Sequence, residues 1–473
     1  MKMLLGHEWV DREETIDVRD PFDDSLIDTV PAANHQDVET ALATASSARE
    51  TARKMTTYER AKVLYRTAEI ISERREEFAV TIAREGSKTI REARGEARRC
   101  VNTLTIAAEE AKRLQGETIP FDSFPGGEMR RGYYERVPIG VVLAITPFND
   151  PLNLVAHKLG PAIAGGNSVI LKPATVTPLS GLKLTEAFME AGLPAGVLQC
   201  ITGYGAVLGD ALVEDPRVRM VSFTGGVEAG ERIMSRVGLK KIGMELGSNS
   251  PVIVWKDADL EWAVETCVSG AFWAAGQNCI GVQRIYIHRD IYDAFRDGFV
   301  EQAKAYRIGD KLDESTDMGP MINEGEAKRV ERWVKEAVDK GATLLAGGTR
   351  DGALVPPTVL ENVPEDATIH FEEVFGPAVN LYPVDDLDDA IAKANSANYG
   401  LHAAGFSNDV TVCHKLAAGL DCGSVILNDS TDYRLDSMPF GGVKNSGLGR
   451  EGLKFSLQEM TEPKVVCWYL PGV

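Results

Sequence analysis

Apolar positions along the chain fall into two textures. From Asp37 to about Lys112 they recur at three- and four-residue spacing. Ala41, Ala45 and Ala48 are followed by Leu64, Ala68, Ile71 and Phe78, which is the period of amphipathic helices. Residues 1–30 read as short extended pieces with a turn at Asp20-Pro21-Phe22-Asp23. The charge-dense run Arg91 to Arg99 reads as a solvated helix face. Residues 116–130, with several glycines, Pro120 and Pro125, read as a linker or an extended arm.

The texture changes at Val137. Near-continuous apolar runs at 139–145, 168–171, 197–201 and 220–223 predict strands, and helical patterns at 152–163, 179–191 and 206–213 separate them. Buried apolar strands alternating with helices indicate a parallel sheet covered on both faces, a doubly wound arrangement that binds ligands at the carboxyl ends of its strands. From Pro251 the alternation restarts, with strands at 252–254 and near Ile285, Val379, Ala403 and Val425. Helices are expected at 260–274, 291–305, 325–340 and 387–395. Residues 432–450 read as a glycine-rich loop, and Val465 to Tyr469 as an edge strand. The fold class is α/β: a Rossmann-like doubly wound domain, a second α/β domain and a small β arm.

Composition narrows the function. With 51 basic and 70 acidic residues the net charge is −19, which disfavours nucleic acid as a partner. Cysteines stand at 100, 200, 267, 279, 413, 422 and 467, with no Cys-x-x-Cys pair. No disulfide framework or metal site is therefore expected, and reduced thiols in the cytoplasm fit best. The first residues carry too short an apolar run for a signal peptide, and no run of about 18 residues suits a membrane span.

Four turns at strand ends of the first domain bear chemistry: Thr146-Pro147-Phe148-Asn149, Lys172-Pro173-Ala174-Thr175, Gly203-Tyr204-Gly205 with Gly209 a turn later, and Thr224-Gly225-Gly226. Glycine at a strand-to-helix turn admits a phosphate to free helix N–H groups. The usual Gly-x-Gly-x-x-Gly fingerprint is absent, but four such turns on one sheet edge point to a dinucleotide. In the second half Gly276-Gln277-Asn278-Cys279-Ile280-Gly281 sets a cysteine between glycines and amides, a candidate nucleophile.

Seven segments, Pro147-Phe148-Asn149, Lys172-Pro173-Ala174, Phe223-Thr224-Gly225, Met244-Glu245-Leu246-Gly247, Gly276-Gln277-Asn278-Cys279, Glu372-Glu373-Val374-Phe375-Gly376-Pro377 and Pro439-Phe440-Gly441-Gly442, resemble the aldehyde dehydrogenase superfamily in order and approximate spacing over nearly the whole chain. The resemblance implies that Cys279 attacks an aldehyde, that Asn149 and the Cys279 N–H hold the oxyanion, and that Glu245 is the base that hydrolyses the thioester. It places Leu246 beside the nicotinamide, Glu373 with Phe375 at its ribose, and Lys172 and Thr175 at the adenosine ribose. Residues 1–115 and 137–246 then form the NAD(P)-binding domain, 247–440 the catalytic domain, and 116–136 with 455–473 an oligomerisation arm of a homodimer or homotetramer.

Departures from the family pattern bear on specificity. Thr175 stands where many NAD-using relatives carry Glu, which leaves NAD and NADP both open. Ser248 and Gly226 are further small changes. Asn278 replaces the Arg that precedes the nucleophile in relatives acting on phosphorylated trioses. Segments around Glu245 and Asn149 are similar to a branch acting on lactaldehyde, phosphonoacetaldehyde and other small polar aldehydes. The expected substrate is a short anionic or hydroxylated aldehyde, with Arg98 or Arg99, His157 and Arg434 as candidate anion ligands. Alternatives are a succinate-semialdehyde-like enzyme, a coenzyme A-acylating dehydrogenase, which the presence of Glu245 disfavours, and a non-catalytic relative on the same fold.

Overall fold

The computed structural model describes residues 1–472. Its first sheet has eight strands in the order Glu8–Val10, Met3–Leu5, Leu198–Cys200, Ser168–Lys172, Val141–Ile145, Val218–Thr224, Lys241–Glu245 and Gly447–Leu448. The five from Leu198–Cys200 to Lys241–Glu245 run parallel. Val141–Ile145 comes first of these in the chain and lies mid-sheet, with later strands added on either side. Strand order therefore reverses beside it, and a crevice opens at the carboxyl ends.

Helices cover both faces. On one side Ala41, Leu42 and Ala45 of helix His35–Lys54 pack on Val141, Leu143 and Ile170. On the other, helices Thr57–Glu73, Ile90–Arg113, Asn153–Ala164 and Leu179–Glu190 pack on Val142, Ala144 and Leu171. Asn34, Thr56 and Thr89 each close a capping box, which fixes where three N-terminal helices begin.

The second sheet runs Thr343–Ala346, Thr358–Glu361, Ala378–Val384, Val282–His288, Ser250–Val254, His402–Phe406 and Ser424–Leu427. All neighbours are parallel except the first pair. Strand Thr461–Tyr469 pairs antiparallel with Arg130–Pro138 along nine residues, and Glu117–Thr118 flanks the far side. This ribbon begins at Thr461 and not at 455, because Leu453–Glu459 is a helix whose Leu453 and Leu457 enter the first domain's core.

Several elements escaped the apolar pattern, among them Thr343–Ala346, Thr358–Glu361, Val410–Gly419 and two strands at the edge of the first sheet. Lys241–Glu245 is half-exposed and contains Gly243, so no hydrophobic run marks it. Gly447–Leu448, inside the expected loop, adds antiparallel to it and closes the sheet edge. The reading of Arg91 to Arg99 as a solvated face needs correction. Ala93, Glu96 and Ala97 are buried and only part of the run meets solvent.

Glu96 shows why. Its Oε1 accepts the N–H groups of Leu152 and Asn153, 2.8 and 3.0 Å away, and so caps helix Asn153–Ala164 from a different helix. Its Oε2 takes Lys88 Nζ at 2.6 Å, and Lys88 also pairs with Asp150. Removing one member of a buried pair strands its partner and the capped N–H groups, at a cost of about 3–5 kcal/mol. Glu96→Ala should lower stability by about that amount in urea unfolding, and Glu96→Gln by less because an acceptor remains. A loss within about 0.5 kcal/mol for the alanine variant would show the cluster to be dispensable.

Candidate active site

Cys279 follows a short 3-10 turn, Trp273–Gly276. Ala274, Ala275 and Gly276 have φ of 51°, 56° and 67°, three left-handed residues in succession. For the alanines this costs of the order of 1–2 kcal/mol each, so neighbours must impose it. Glu92 Oε1 accepts the Ala274 N–H at 2.9 Å, and Gln277 Nε2 donates to the Ala274 carbonyl at 3.1 Å. A Cβ on Gly276 would lie 2.2 Å from the Gly376 carbonyl oxygen, so this position has room for glycine alone. Gln277 Oε1 accepts from Ile322 N–H. The amide flanking the cysteine is thus a brace, and the turn projects Cys279 over Ile280, Leu401 and Phe440.

The thiol is half-buried on the wall of a cavity of about 700 Å³. The same cavity is lined by Asn149, Asn278, Arg98, Arg99 and Arg434. Burial pushes the Cys279 thiol up to about 12. Arg434 pulls it down, while Glu373, Glu245 and Glu451 oppose its ionisation.

Glu245 ends strand Lys241–Glu245 and is 4% exposed. Its Oε2 has no hydrogen-bond partner. Beside it Glu451 accepts from Lys158 at 3.0 Å and from Arg434 at 3.2 Å. Burial works against ionising Glu451, but Lys158 and Arg434 overcome it and hold the carboxyl down to about 2. Glu245 goes the other way. Burial, and then the charge on Glu451, raise it well above the carboxylate range. Glu245 borders a small space with Arg450 and Glu451 and does not line the large cavity.

The four turns meet along the crevice of the first sheet. Thr146 and Thr224 end adjacent strands, and their buried hydroxyls lack partners. Gly205 and Gly226 open helices Gly205–Glu214 and Val227–Met234, and a Cβ at either, or at Gly209, would meet nothing within 4 Å. Orphan hydroxyls and free helix N–H groups beside open space fit a dinucleotide. Lys172 is buried, donates to the Pro173 carbonyl and is lowered by burial to about 8. Ala174 is half-buried, and Thr175 Oγ1 donates to the Gly203 carbonyl at 3.0 Å. Leu246 packs over Gly230, and Gly225 lies under the Phe223 ring.

Across the crevice, Glu373 Oε1 accepts the Ser248 N–H at 2.8 Å, and burial raises this carboxyl to about 7. Phe375, at φ 42°, sets its ring edge-on to Phe148 at 5.7 Å, next to the half-buried Pro147. Most of the sequence-predicted cofactor residues thus lie on turns at the carboxyl ends of the first sheet, and the segment of Glu373 and Phe375 reaches Ser248 and Phe148.

The candidate anion ligands divide. Arg434 is buried, lies 3.7 Å over the Phe440 ring and leaves its Nε unpartnered. Arg99 donates to Asp436 at 3.0 Å and lies 3.6 Å from Asp150, while Arg98 is exposed. His157 does not belong with them. It is wholly buried on helix Asn153–Ala164, its Nε2 is 3.0 Å from Asp436, burial lowers its pKa, and it does not line the cavity. His157 holds Asp436, which in turn holds Arg99.

Sequence reasoning missed Lys158, Glu451, Glu92 and the cavity wall Asp429-Ser430-Asp432. For Lys158 a signal existed, a lone cation in an otherwise apolar helix run. For the others, spacing carried none. Among the described residues no group of three metal-ligating side chains occurs, and no helix is long and apolar enough to cross a membrane.

The description "Aldehyde dehydrogenase family" matches residues 9–466. The chain is 50% identical over 460 residues to aspartate-semialdehyde dehydrogenase 1 of Pseudomonas canavaninivorans, covering 97% of this chain and 98% of that one. It is 48% identical over 464 residues to 3-sulfolactaldehyde dehydrogenase of Priestia aryabhattai, covering 98% and 97%. Aldehyde dehydrogenase 21 of Physcomitrella patens, solved with its reaction product succinate, superposes with a TM-score of 0.97 at 40% identity, covering 100% and 98%. Other matching solved structures hold NADP or NAD.

A buried thiol titrating far above neutrality reacts in proportion to its small thiolate fraction. Inactivation by iodoacetamide should quicken about tenfold per pH unit from pH 7 to 9 with no plateau. Arg434→Gln should slow it throughout, because the guanidinium favours the thiolate. A plateau near pH 7 would contradict this environment for Cys279.

Proposed function

The chain belongs to the aldehyde dehydrogenase family and is an NAD(P)-dependent oxidoreductase acting on aldehydes, and on that premise we propose that it converts a short anionic aldehyde to its carboxylic acid. Cys279 as thiolate adds to the aldehyde carbon, and the oxygen that becomes negative is held by the Asn149 side-chain amide and the Cys279 N–H. The Thr146 and Thr224 turns and Glu373 would hold NAD(P)+, which would supply the hydride acceptor; the adduct oxygen's electron pair then reforms the C=O as the carbon gives up its hydride, leaving a thioester on Cys279. Glu245 takes a proton from the water that attacks the thioester, and the acid leaves as Cys279 is released. A carboxyl raised by burial is a stronger base when ionised than an exposed one. Because Glu245 stands outside the cavity, its side chain must rotate to meet the water.

The observation that carries the substrate reading is Arg434. It is a buried guanidinium on the wall that holds Cys279, with one N–H unpartnered. The products or substrates named for the relatives above carry a carboxylate or a sulfonate, which suits it. No acidic side chain stands at Thr175, which is compatible with NAD or NADP.

A panel run with both cofactors tests this. Carboxylated or sulfonated aldehydes of three or four carbons should exceed uncharged aldehydes of equal length in kcat/KM by at least about tenfold. Cys279→Ala should abolish turnover. Glu245→Gln should give one rapid equivalent of NAD(P)H and then stall, since only thioester hydrolysis is removed. Unbiased rates across the panel would discard the anionic substrate, and steady turnover by Glu245→Gln would discard that base.

The ribbon of Arg130–Pro138 and Thr461–Tyr469 exposes Tyr133, Val465, Trp468 and Tyr469. This apolar stripe supports self-association through the arm as a dimer or tetramer. Light scattering should give a multiple of the 51.4 kDa chain mass, reduced in Val465→Asp. A wild-type monomer would refute it.

A further inference from the structure

Arg434 lies in the loop between strand Ser424–Leu427 and Phe440, on the wall that also holds Cys279. The loop is tied at both ends. Asn428 donates its N–H to the Gly405 carbonyl and accepts from Trp262 at 2.9 Å, while the Asp436 carboxylate is met by Arg99 and His157. Between these anchors the backbone of residues 429–434 makes one hydrogen bond outside the loop among the described residues. His402 Nδ1 donates to the Thr431 carbonyl at 2.8 Å.

His402 opens strand His402–Phe406, is fully buried and does not line the cavity. Because a carbonyl only accepts, the ring proton stands on Nδ1, and Nε2 carries a bare lone pair. No donor reaches that lone pair. Burial, and then Arg434, lower the ring to about 4 against the pull of the Thr431 carbonyl. A buried lone pair without a donor is unfavourable, and an apolar side chain at this strand end would avoid it. What the histidine adds is the donor to Thr431 and a flat ring. The ring centroid lies 5.1 Å from that of Phe440, and the Arg434 guanidinium lies 3.7 Å over the same Phe440 ring. Phe440 in turn pairs its backbone with Glu451, whose carboxylate accepts from Arg434. His402 therefore touches two supports of Arg434: the backbone three residues before it, and the ring against which it lies.

We propose that His402 is a positioning residue of the aldehyde site, holding the Thr431 carbonyl so that Arg434 stands where it can act on the aldehyde's acid group and on the Cys279 sulfur. The first effect rests on the reading of the substrate as an anionic aldehyde. The second rests only on Arg434 and Cys279 sharing one wall. His402 touches no reacting atom. Releasing Thr431 lets the guanidinium leave its place, which weakens binding of an acid group more than any step shared with uncharged aldehydes.

Three variants separate the hydrogen bond from simple packing. His402→Phe keeps a ring against Phe440 and cannot donate, whereas His402→Asn puts an amide N–H near the Nδ1 position. His402→Gln, whose amide reaches towards the Nε2 position, repeats the loss of the donor with less bulk. In His402→Phe, kcat/KM for succinate semialdehyde should fall about tenfold further than for butanal, mainly through KM. Iodoacetamide should alkylate Cys279 about threefold more slowly at pH 8, because Arg434 favours the thiolate. His402→Asn should stay within about threefold of wild type in both measurements, and His402→Gln should follow His402→Phe. Turnover of butanal shows that each variant is folded. Where the wild type prefers succinate semialdehyde, equal losses on the two aldehydes, or an unchanged alkylation rate, would overturn the positioning, as would His402→Asn matching His402→Phe. A wild type without that preference refutes the anionic substrate alone. Slower alkylation in His402→Phe then still supports the positioning, and an unchanged rate overturns it.

Discussion

Glu92 and Glu96 lie one turn apart on the same helix, and each reaches a different part of the site. Glu92 accepts the Ala274 N–H in the turn that presents Cys279. Glu96 accepts the N–H groups of Leu152 and Asn153, just after the loop that carries Asn149. Residues four apart on a helix keep a fixed separation of about 6 Å, so one rigid element sets the spacing between the turn that presents Cys279 and the loop that carries Asn149. The strained turn at Ala274 and Ala275 makes the tether necessary. Without an acceptor for the Ala274 N–H, only the Gln277 side chain on the Ala274 carbonyl would be left to hold the two alanines in left-handed backbone.

Burial of charge at the domain junction follows from this construction. A carboxylate inside protein is tolerable when a cation or several donors meet it, and Glu451 has both Lys158 and Arg434. Glu245, a neighbour of that charge, is left with an orphan oxygen, and burial and the Glu451 charge raise its carboxyl above the usual range. Their pKa values separate because the two environments differ, although the side chains are the same. Arg434 takes part twice, since it neutralises Glu451 and also lowers the Cys279 thiol. A single guanidinium therefore couples the ionisation of the Cys279 thiol to that of the Glu245–Glu451 pair.

The parallel strands were legible because full burial writes them as unbroken apolar runs, as in Val141–Ile145 and Ser168–Lys172. Lys241–Glu245 was not, because one of its faces is half-exposed and its pairing is completed by two residues from far along the chain. Cys279 and Glu245 were singled out through short motifs, not through periodicity. His157 was misjudged for a physical reason. A histidine in an apolar helix run reads equally as a ligand or as a buried partner, and only the tertiary position of Asp436 decides. The charged face at Arg91 to Arg99 misled in the same way. Charge predicts solvent unless a distant segment brings N–H groups and a lysine to meet it, and Glu96 has both.

The chain carries −19 overall, and the cavity around Cys279 sets Arg91, Arg98, Arg99 and Arg434 among the carboxylates Glu92, Glu96, Asp150, Asp317, Asp429 and Asp432. These facts agree once distance is considered. At physiological salt the field of exposed charges fades over about 8 Å, so the acidic exterior neither repels a small anion strongly nor steers it inward. Inside, where water is scarce, the interaction is set by the few groups within reach. There Arg434, paired with Glu451 through one nitrogen and unpartnered at Nε, acts at short range. Binding of the anionic aldehyde proposed above would then be a short-range event governed by desolvation and geometry.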